Sequence, residues 1–145
     1  MQRKLRLFLP LLLLVSAAAV SARAQDGTTT PASGSAERKA IADALRPPVE
    51  RELKQKVVFK IDHLKLKDGW AFLRGVPQRP DGGEVNYNST PYRQRVKDGT
   101  FDDGIVALLR KRAGKWRVVK YVIGATDVPY VTWDKDYKAP SAIFN

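Results

Sequence analysis

The side chains best suited to acid–base or metal chemistry are few and scattered. His63 is the single histidine of the chain, and there is no cysteine. In a regular strand, the neighbouring Asp62 would point to the opposite face, so the two residues do not form a catalytic pair. Zinc sites are built largely from histidine and cysteine. We therefore expect His63 to be an exposed strand residue, and we expect no catalytic residues, bound metal or cofactor.

Carboxylates near glycines offer a second kind of site. Asp98 and the pair Asp102-Asp103 could bind a hard cation, but glycine follows both groups, which is ordinary turn composition. Asp127 follows a glycine-led turn and precedes two aromatic residues, where it could act as a functional carboxylate or cap a helix. We favour turns and a helix cap. Gly82-Gly83 lacks the spacing of a phosphate-binding loop.

Aromatic and basic residues alternate between positions 79 and 97, which makes this stretch the best candidate for a binding surface. A connection of this length without secondary structure is often functional, and aromatic rings beside cations can stack on sugars or nucleic acid bases. We expect Trp70 and Trp116 mainly to fill the concave side of a sheet. The candidate ligand-binding residues are Arg79, Tyr87, Tyr92, Arg93 and Arg95, with Trp70, Asp127 and Trp133 at the mouth of an alternative pocket.

The first 24 residues have the composition of a secretory signal peptide. Three basic residues precede the apolar run 7–20, and Ser21–Ala24 supplies small residues for cleavage before Gln25. A membrane-spanning helix needs about 20 apolar residues, whereas this run has 14 and contains Pro10. We therefore expect a periplasmic or secreted protein that is cleaved after Ala24 and has no transmembrane segment after cleavage.

The mature chain would be strongly basic. Four of the 26 basic residues lie in the predicted signal peptide, so 22 basic and 15 acidic residues remain, with a net charge of +7. Such a charge attracts anionic partners over long range. Outside the cytoplasm we expect an anionic envelope component or an acidic protein rather than nucleic acid. The sequence does not determine the oligomeric state.

The elements that would position these residues follow from hydrophobic periodicity. Residues 25–34 are polar and predict a flexible linker, and residues 35–145 predict a single domain. Ser35 can cap a helix that reaches Leu45, and Pro47-Pro48 should kink or break it, so that a second short helix begins at Pro48. We expect this bent helix to pack on a curved antiparallel sheet of about four strands, in an α+β fold with a short C-terminal helix.

The strand prediction rests on a period of two that begins at Val57. The inward parity of Val57 and Ile61 changes by Leu64, which predicts either a bulge between the last two residues or a strand whose two ends face different layers. Turns at 67–69 and 112–115 predict two hairpins. Pro77 should stop the first hairpin's second strand. We further expect a polar connection over 84–104 with a short edge strand near 92–96, and a helix over 128–137 that Asp127 caps and that turns Val128, Val131, Thr132 and Tyr137 inward.

Several segments carry a resemblance to known proteins. Ile105–Arg110, Gly114–Val118, Gly124–Val128 and Trp133 resemble a group of small secreted bacterial proteins without an assigned activity, and Arg46-Pro47 and Gly69–Phe72 fit the same pattern. The resemblance spans about Arg38 to Phe144 and implies location and single-domain character, but no site residues. The expected architecture is similar to the cystatin-like and nuclear-transport-factor-like α+β folds.

Three functions remain open from the sequence. The first is a non-enzymatic domain that binds an anionic or polar envelope partner through the stretch 79–97 and an open sheet face. The second is a small-ligand pocket or a hydrolase of the cone-shaped sheet type, with Asp127, Trp70 and Trp133 near its mouth. The third is an inhibitor of a secreted enzyme, although a basic protein is repelled by a cationic target.

Overall fold

A computed structural model describes residues 27–145, so the predicted signal peptide lies outside the described residues. Two 3₁₀ turns, Tyr87–Ser89 and Ser141–Phe144, accompany the regular elements. The predicted α+β class is confirmed. In chain order the elements are α1 (Ala36–Leu53), β1 (Val58–Lys67), β2 (Trp70–Gln78), α2 (Arg93–Lys97), β3 (Ile105–Arg112), β4 (Lys115–Ile123) and α3 (Trp133–Tyr137).

Helix α1 is continuous through its two prolines. The Ser35 side chain accepts a hydrogen bond from the backbone of Arg38 and caps the helix, as its sequence predicts. The second short helix expected from Pro48 is the last part of the same helix. The buried residues recur every four positions, so one apolar stripe runs the whole length against the sheet. They are Ile41, Leu45, Val49 and Leu53.

The four strands form one antiparallel sheet in the order β1-β2-β3-β4. Both predicted hairpins are present, and the predicted bulge in β1 falls between Ile61 and His63. Strand β2 continues through Pro77 instead of stopping there, because β3 begins opposite Gly75. Beyond Gly75, β2 pairs with β1 and ends in a bridge from Gln78 to Glu84. Pro77 itself pairs with Phe59 of β1, so its missing N–H removes no hydrogen bond to a second strand.

Both faces of the sheet are packed. The first core lies between α1 and the sheet and includes Leu73, Leu109 and Trp116. The second core lies on the opposite face, where the chain after β4 covers Phe72 and Leu108 with Trp133 and Ile143. The prediction that Trp70 and Trp116 fill the same concave side is therefore wrong, since Trp70 belongs to the second core.

The chain after β4 differs from its prediction. Helix α3 has five residues and starts at Trp133, after a Thr132 cap. Asp127 is exposed and lies six residues before α3, so it does not cap the helix. Val128 and Val131 are 53% and 74% exposed and do not face inward. Tight turns carry the chain from β4 to Trp133, because Trp133 rather than the two valines enters the core.

The start of the described chain pairs with the sheet through Thr29. Thr29, inside the segment predicted as a flexible linker, exchanges two backbone hydrogen bonds of 2.9 and 2.8 Å with Leu66. Leu66 belongs to β1, which is an edge strand. This pairing shields part of that edge from further strand addition.

Candidate functional site

The stretch 79–97 is packed onto the helix and the sheet. Residues 93–97 form helix α2 instead of the predicted short edge strand. The hydroxyl of Tyr92 donates to the Glu52 carboxylate of α1, and Tyr121 of β4 donates to its other oxygen. The ring of Phe101 contacts the rings of Tyr87 and Tyr92, with centroids 4.6 and 5.1 Å apart. The two loop tyrosines therefore attach the connection to the fold.

Two of the three candidate arginines in this stretch already have partners. Arg79 Nε donates to Asp81 over 3.2 Å. Arg95 Nη2 donates to the carbonyl oxygens of Thr100 and Gly124. Arg93 alone of the three is exposed without a partner among the residues that the structure describes. The structure does not bring the predicted aromatic and basic residues together into one binding surface.

Burial raises the pKa of three tyrosines in this region. Desolvation, followed by the hydrogen bond to the Glu52 carboxylate, raises the pKa of Tyr121 to about 12 and shifts the pKa of Tyr92 upward as well. Desolvation also raises the pKa of Tyr87 to about 12, with smaller contributions from nearby carboxylates. The Tyr87 hydroxyl is buried without a hydrogen-bond partner. The three tyrosine hydroxyls stay protonated at neutral pH. Those of Tyr92 and Tyr121 stabilise the fold through their hydrogen bonds to Glu52, whereas the buried Tyr87 hydroxyl strains it.

The residues predicted for an alternative pocket are separated. Asp127 lines a cavity of about 360 Å³ together with Arg74 and Tyr130. Arg74 Nη1 donates to the Tyr130 hydroxyl over 3.3 Å. Trp70 and Trp133 are buried in the second core and do not line this cavity. Trp70 lines a different cavity, of about 310 Å³, so the structure does not bring Asp127 and the two tryptophans to one pocket.

His63 is half-buried, and the prediction of an exposed residue is wrong. Its Nε2 lies 3.0 Å from the carbonyl oxygen of Ile143, and its ring meets the edge of Phe72 at 5.5 Å. The β1 bulge places His63 on the second-core face, where the C-terminal turn covers it. These contacts indicate that His63 contributes to the packing of the second core.

The acidic turns behave as turns. The Asp102 carboxylate accepts from the Gly104 backbone over 2.7 Å, and the Asp98 carboxylate accepts from Gln94 over 2.8 Å. Within residues 27–145, no three carboxylate or imidazole groups are arranged to hold a metal ion. Asp102 thus orders its own loop.

Sequence reasoning missed a cluster of cations on the second face of the sheet. Arg110 lies directly opposite Arg117, and Arg112 lies directly opposite Lys115 across the β3–β4 hairpin. Lys120 lies opposite Leu108 of the second core, which places it on the same face. The chain after β4 packs mainly over β1 and β2, which leaves four of these side chains exposed and Arg110 half-buried. We call Arg110, Arg112, Lys115, Arg117 and Lys120 the cationic sheet patch.

The cationic sheet patch has no neutralising partners. No carboxylate in the described part of the chain pairs with any of its five residues. Arg110 instead stacks on the ring of Trp70, with its guanidinium carbon 4.5 Å from the ring centroid, and its Nε is buried without an acceptor. Like charges directly opposite each other destabilise a strand pair. The patch therefore combines exposed positive charge with an unfavourable local electrostatic energy.

Neither the helices of the described residues nor the comparisons with known proteins give a further indication of what the cationic sheet patch does. No helix within residues 27–145 is long and apolar enough to cross a membrane. Comparison with protein-family models, with curated proteins and with solved structures finds no significant match for the chain.

Proposed function

We propose that the protein is a non-enzymatic binding domain for an anionic partner of the cell envelope, and that the cationic sheet patch is its binding surface. The single observation that carries the proposal is a set of five cations on one face of one hairpin that form no ion pair with any carboxylate of residues 27–145. An anionic partner would neutralise the two like-charge pairs, so binding would relieve a repulsion that the free protein contains.

Protection of an edge strand explains only part of this pattern. Strand β4 is an edge, and exposed lysines and arginines on an edge prevent unwanted strand pairing. Arg110, however, belongs to β3 and pairs with Trp70 of β2 as well as with Arg117 of β4, whereas Arg112 pairs with Lys115 alone. Edge protection gives no reason for Arg110, whereas a binding surface that spans both strands does.

The proposed surface differs from the one expected from the sequence. The stretch 79–97 contributes Arg93 and Lys97, whose exposed side chains form no ion pair within the described part of the chain, while its tyrosines and Arg95 are engaged in the fold. The open sheet face is reduced to the area that the C-terminal segment leaves uncovered. A periplasmic or secreted location, predicted from the N-terminal residues, would offer such a surface phospholipid, acidic polysaccharide and acidic proteins.

A pocket function remains a second candidate on one observation. Arg74, Asp127 and Tyr130 line the same cavity, and Arg74 Nε is buried without an acceptor. A guanidinium of this kind is suited to bind a small carboxylate or phosphate.

The proposed binding surface is tested with heparin as a soluble polyanion. The double variant Arg112→Gln/Arg117→Gln removes two patch charges, and Arg93→Gln/Lys97→Gln removes the same net charge from the 79–97 stretch. We expect the patch variant to lose about tenfold or more in affinity, because each cation near an anionic surface contributes about 1 kcal/mol. The control should lose far less. Equal losses in isothermal titration calorimetry would contradict the proposed surface and favour net charge alone.

A further inference from the structure

We infer that the partner of the cationic sheet patch is the surface of a phospholipid bilayer that contains anionic lipid. This inference rests on the proposed function and names the partner class. The alternatives are a soluble acidic polysaccharide and an acidic polypeptide. The shape of the patch and its surroundings separate these three partners.

The patch is arranged to meet a plane. Side chains on one face of an antiparallel hairpin project in the same direction, so the four exposed cations, Arg112, Lys115, Arg117 and Lys120, can approach one surface together. At about 3.3 Å per residue, the row from Lys115 to Lys120 extends about 17 Å along β4, and β3 adds a second row about 5 Å away. Such an area spans several lipid headgroups.

The patch does not coincide with the main cavities of residues 27–145. Cavities of about 310 to 600 Å³ lie at four other places, and none of these four is lined by a patch residue. The contact must therefore form on an exposed face, where affinity comes from the number of charges and not from enclosure.

A polysaccharide lacks a stacking platform beside the patch. Trp70, the nearest ring, is 9% exposed and is covered by the Arg110 guanidinium. Sugar rings usually gain affinity and orientation from an exposed aromatic face, which Trp70 does not offer. Its stack instead holds Arg110 in position as a cation.

An acidic polypeptide would have to add to the β4 edge to gain more than charge contacts. The register between β3 and β4 shifts after Leu108, which leaves Val119 as a bulged residue in the middle of β4. A bulge disrupts the regular spacing of backbone donors and acceptors on an edge and blocks strand addition. The bulge does not impede a planar surface that contacts side chains alone.

The predicted association is electrostatic and shallow. Val119 is the single exposed large apolar side chain of β4, so the hairpin has no apolar cluster to insert into the acyl region. Each Lys or Arg close to an anionic membrane contributes about fivefold in partition coefficient. Binding should therefore be reversible and weaken strongly with salt, because the Debye length falls to about 3 Å at 1 M.

The inference is tested by co-sedimentation with vesicles. One set contains phosphatidylcholine with about 30% phosphatidylglycerol, and the other contains phosphatidylcholine alone, which measures any binding through the apolar N-terminal run. The protein is expressed in a bacterial host, and the N-terminus of the purified chain is determined first. Heparin binding is measured in parallel.

The patch variant is Arg112→Gln/Lys115→Gln/Arg117→Gln, and the charge-matched control is Arg51→Gln/Arg93→Gln/Lys97→Gln. The control residues are exposed and have no partner among residues 27–145. We expect the patch variant to lose about 100-fold in partition to anionic vesicles and the control to lose less than about fivefold. Wild-type protein should not bind phosphatidylcholine vesicles and should dissociate from anionic vesicles at high salt.

The remaining outcomes overturn the inference in different ways. Patch-dependent heparin binding without vesicle binding would disprove the bilayer partner and leave the proposed function in place. If the patch variant keeps its affinity for heparin and for anionic vesicles, or if both triple variants lose affinity equally, both the bilayer partner and the proposed function are disproved. If the patch variant aggregates through the β4 edge, Arg112→Gln alone gives the comparison, because Arg112 lies in the inner strand, and a loss of about fivefold is expected.

Discussion

Tyr87 and Tyr121 share a raised pKa but differ in their hydrogen bonding. The Tyr121 hydroxyl donates to the Glu52 carboxylate, whereas the Tyr87 hydroxyl is buried without an acceptor. A hydrogen bond to a charged group stabilises a fold, while an unsatisfied buried hydroxyl destabilises it. The same chemical change at the two positions should therefore have opposite consequences for stability.

This contrast gives a prediction with its own control. Tyr121→Phe should lower the free energy of unfolding by about 1.5 to 3 kcal/mol, because Glu52 loses a donor in a partly buried position. Tyr87→Phe should leave it unchanged or raise it by about 1 kcal/mol, since the ring contact with Phe101 is retained. Urea denaturation followed by circular dichroism measures both variants. Similar destabilisation by the two substitutions would show that the Tyr87 hydroxyl has a stabilising partner.

At the scale of elements, an aromatic cluster around Phe101 helps to hold the connection between β2 and β3 against the sheet. Phe101 packs between Tyr87 and Tyr92 and lies over Gly124, the residue after β4. A Cβ on Gly124 would lie 2.1 Å from the Phe101 ring. The two neighbouring tyrosines leave the ring little room to move, so a glycine is required at this position.

A pair of glycines tests the contact. Gly124 and Gly82 both have positive φ, of 78° and 83°, so alanine introduces similar backbone strain at either site. Gly82 has open space around its Cβ position. Gly124→Ala should therefore lower the free energy of unfolding by about 1 to 3 kcal/mol more than Gly82→Ala does, because of overpacking. Equal effects in thermal or urea unfolding would mean that Phe101 does not pack on Gly124 in solution.

The sequence predicts the elements that have a clear period and misses those that do not. The stripe of α1, the two hairpins and the β1 bulge follow from spacing alone, because a change of parity between Ile61 and Leu64 can be read directly. Residues 93–97 form a helix too short to distinguish from a strand by periodicity. In the C-terminal segment, the packing of Trp133 and Ile143 on the sheet decides the structure, and this contact is not local in sequence.

The candidate site was missed for a related reason. Arg110 and Arg117 can be identified in the sequence as strand residues, but their direct opposition depends on the hairpin register. That register includes a bulge at Val119, where the sequence Arg-Val-Val-Lys shows no break in pattern. Without the bulge, Lys120 would fall on the helix-covered face instead of joining the patch. The charges are visible in the sequence, whereas their common face requires the structure.

At the scale of the molecule, one sheet face serves two purposes. Its β1–β2 side is buried under the C-terminal segment, and its β3–β4 side carries the cationic sheet patch. Phe72 and Leu108 of the second core occupy strands whose alternate residues, Leu73 and Leu109, belong to the first core. Loss of the C-terminal segment would therefore disturb the strands that present the patch.

The shared strands predict that the two cores unfold together. Ile143 is fully buried over the sheet, so Ile143→Ala should lower the free energy of unfolding by about 2 to 5 kcal/mol. The control Val131→Ala changes a side chain that is 74% exposed, and it should alter the free energy of unfolding by less than about 0.5 kcal/mol. Tryptophan fluorescence, with Trp70 and Trp133 in the second core, and far-ultraviolet circular dichroism, which includes α1, should report one transition in both variants. In Ile143→Ala, a fluorescence change that precedes the loss of helical signal would show that the C-terminal segment detaches independently. The cationic sheet patch would then lie beside a segment that can leave the sheet while the rest of the fold stays intact.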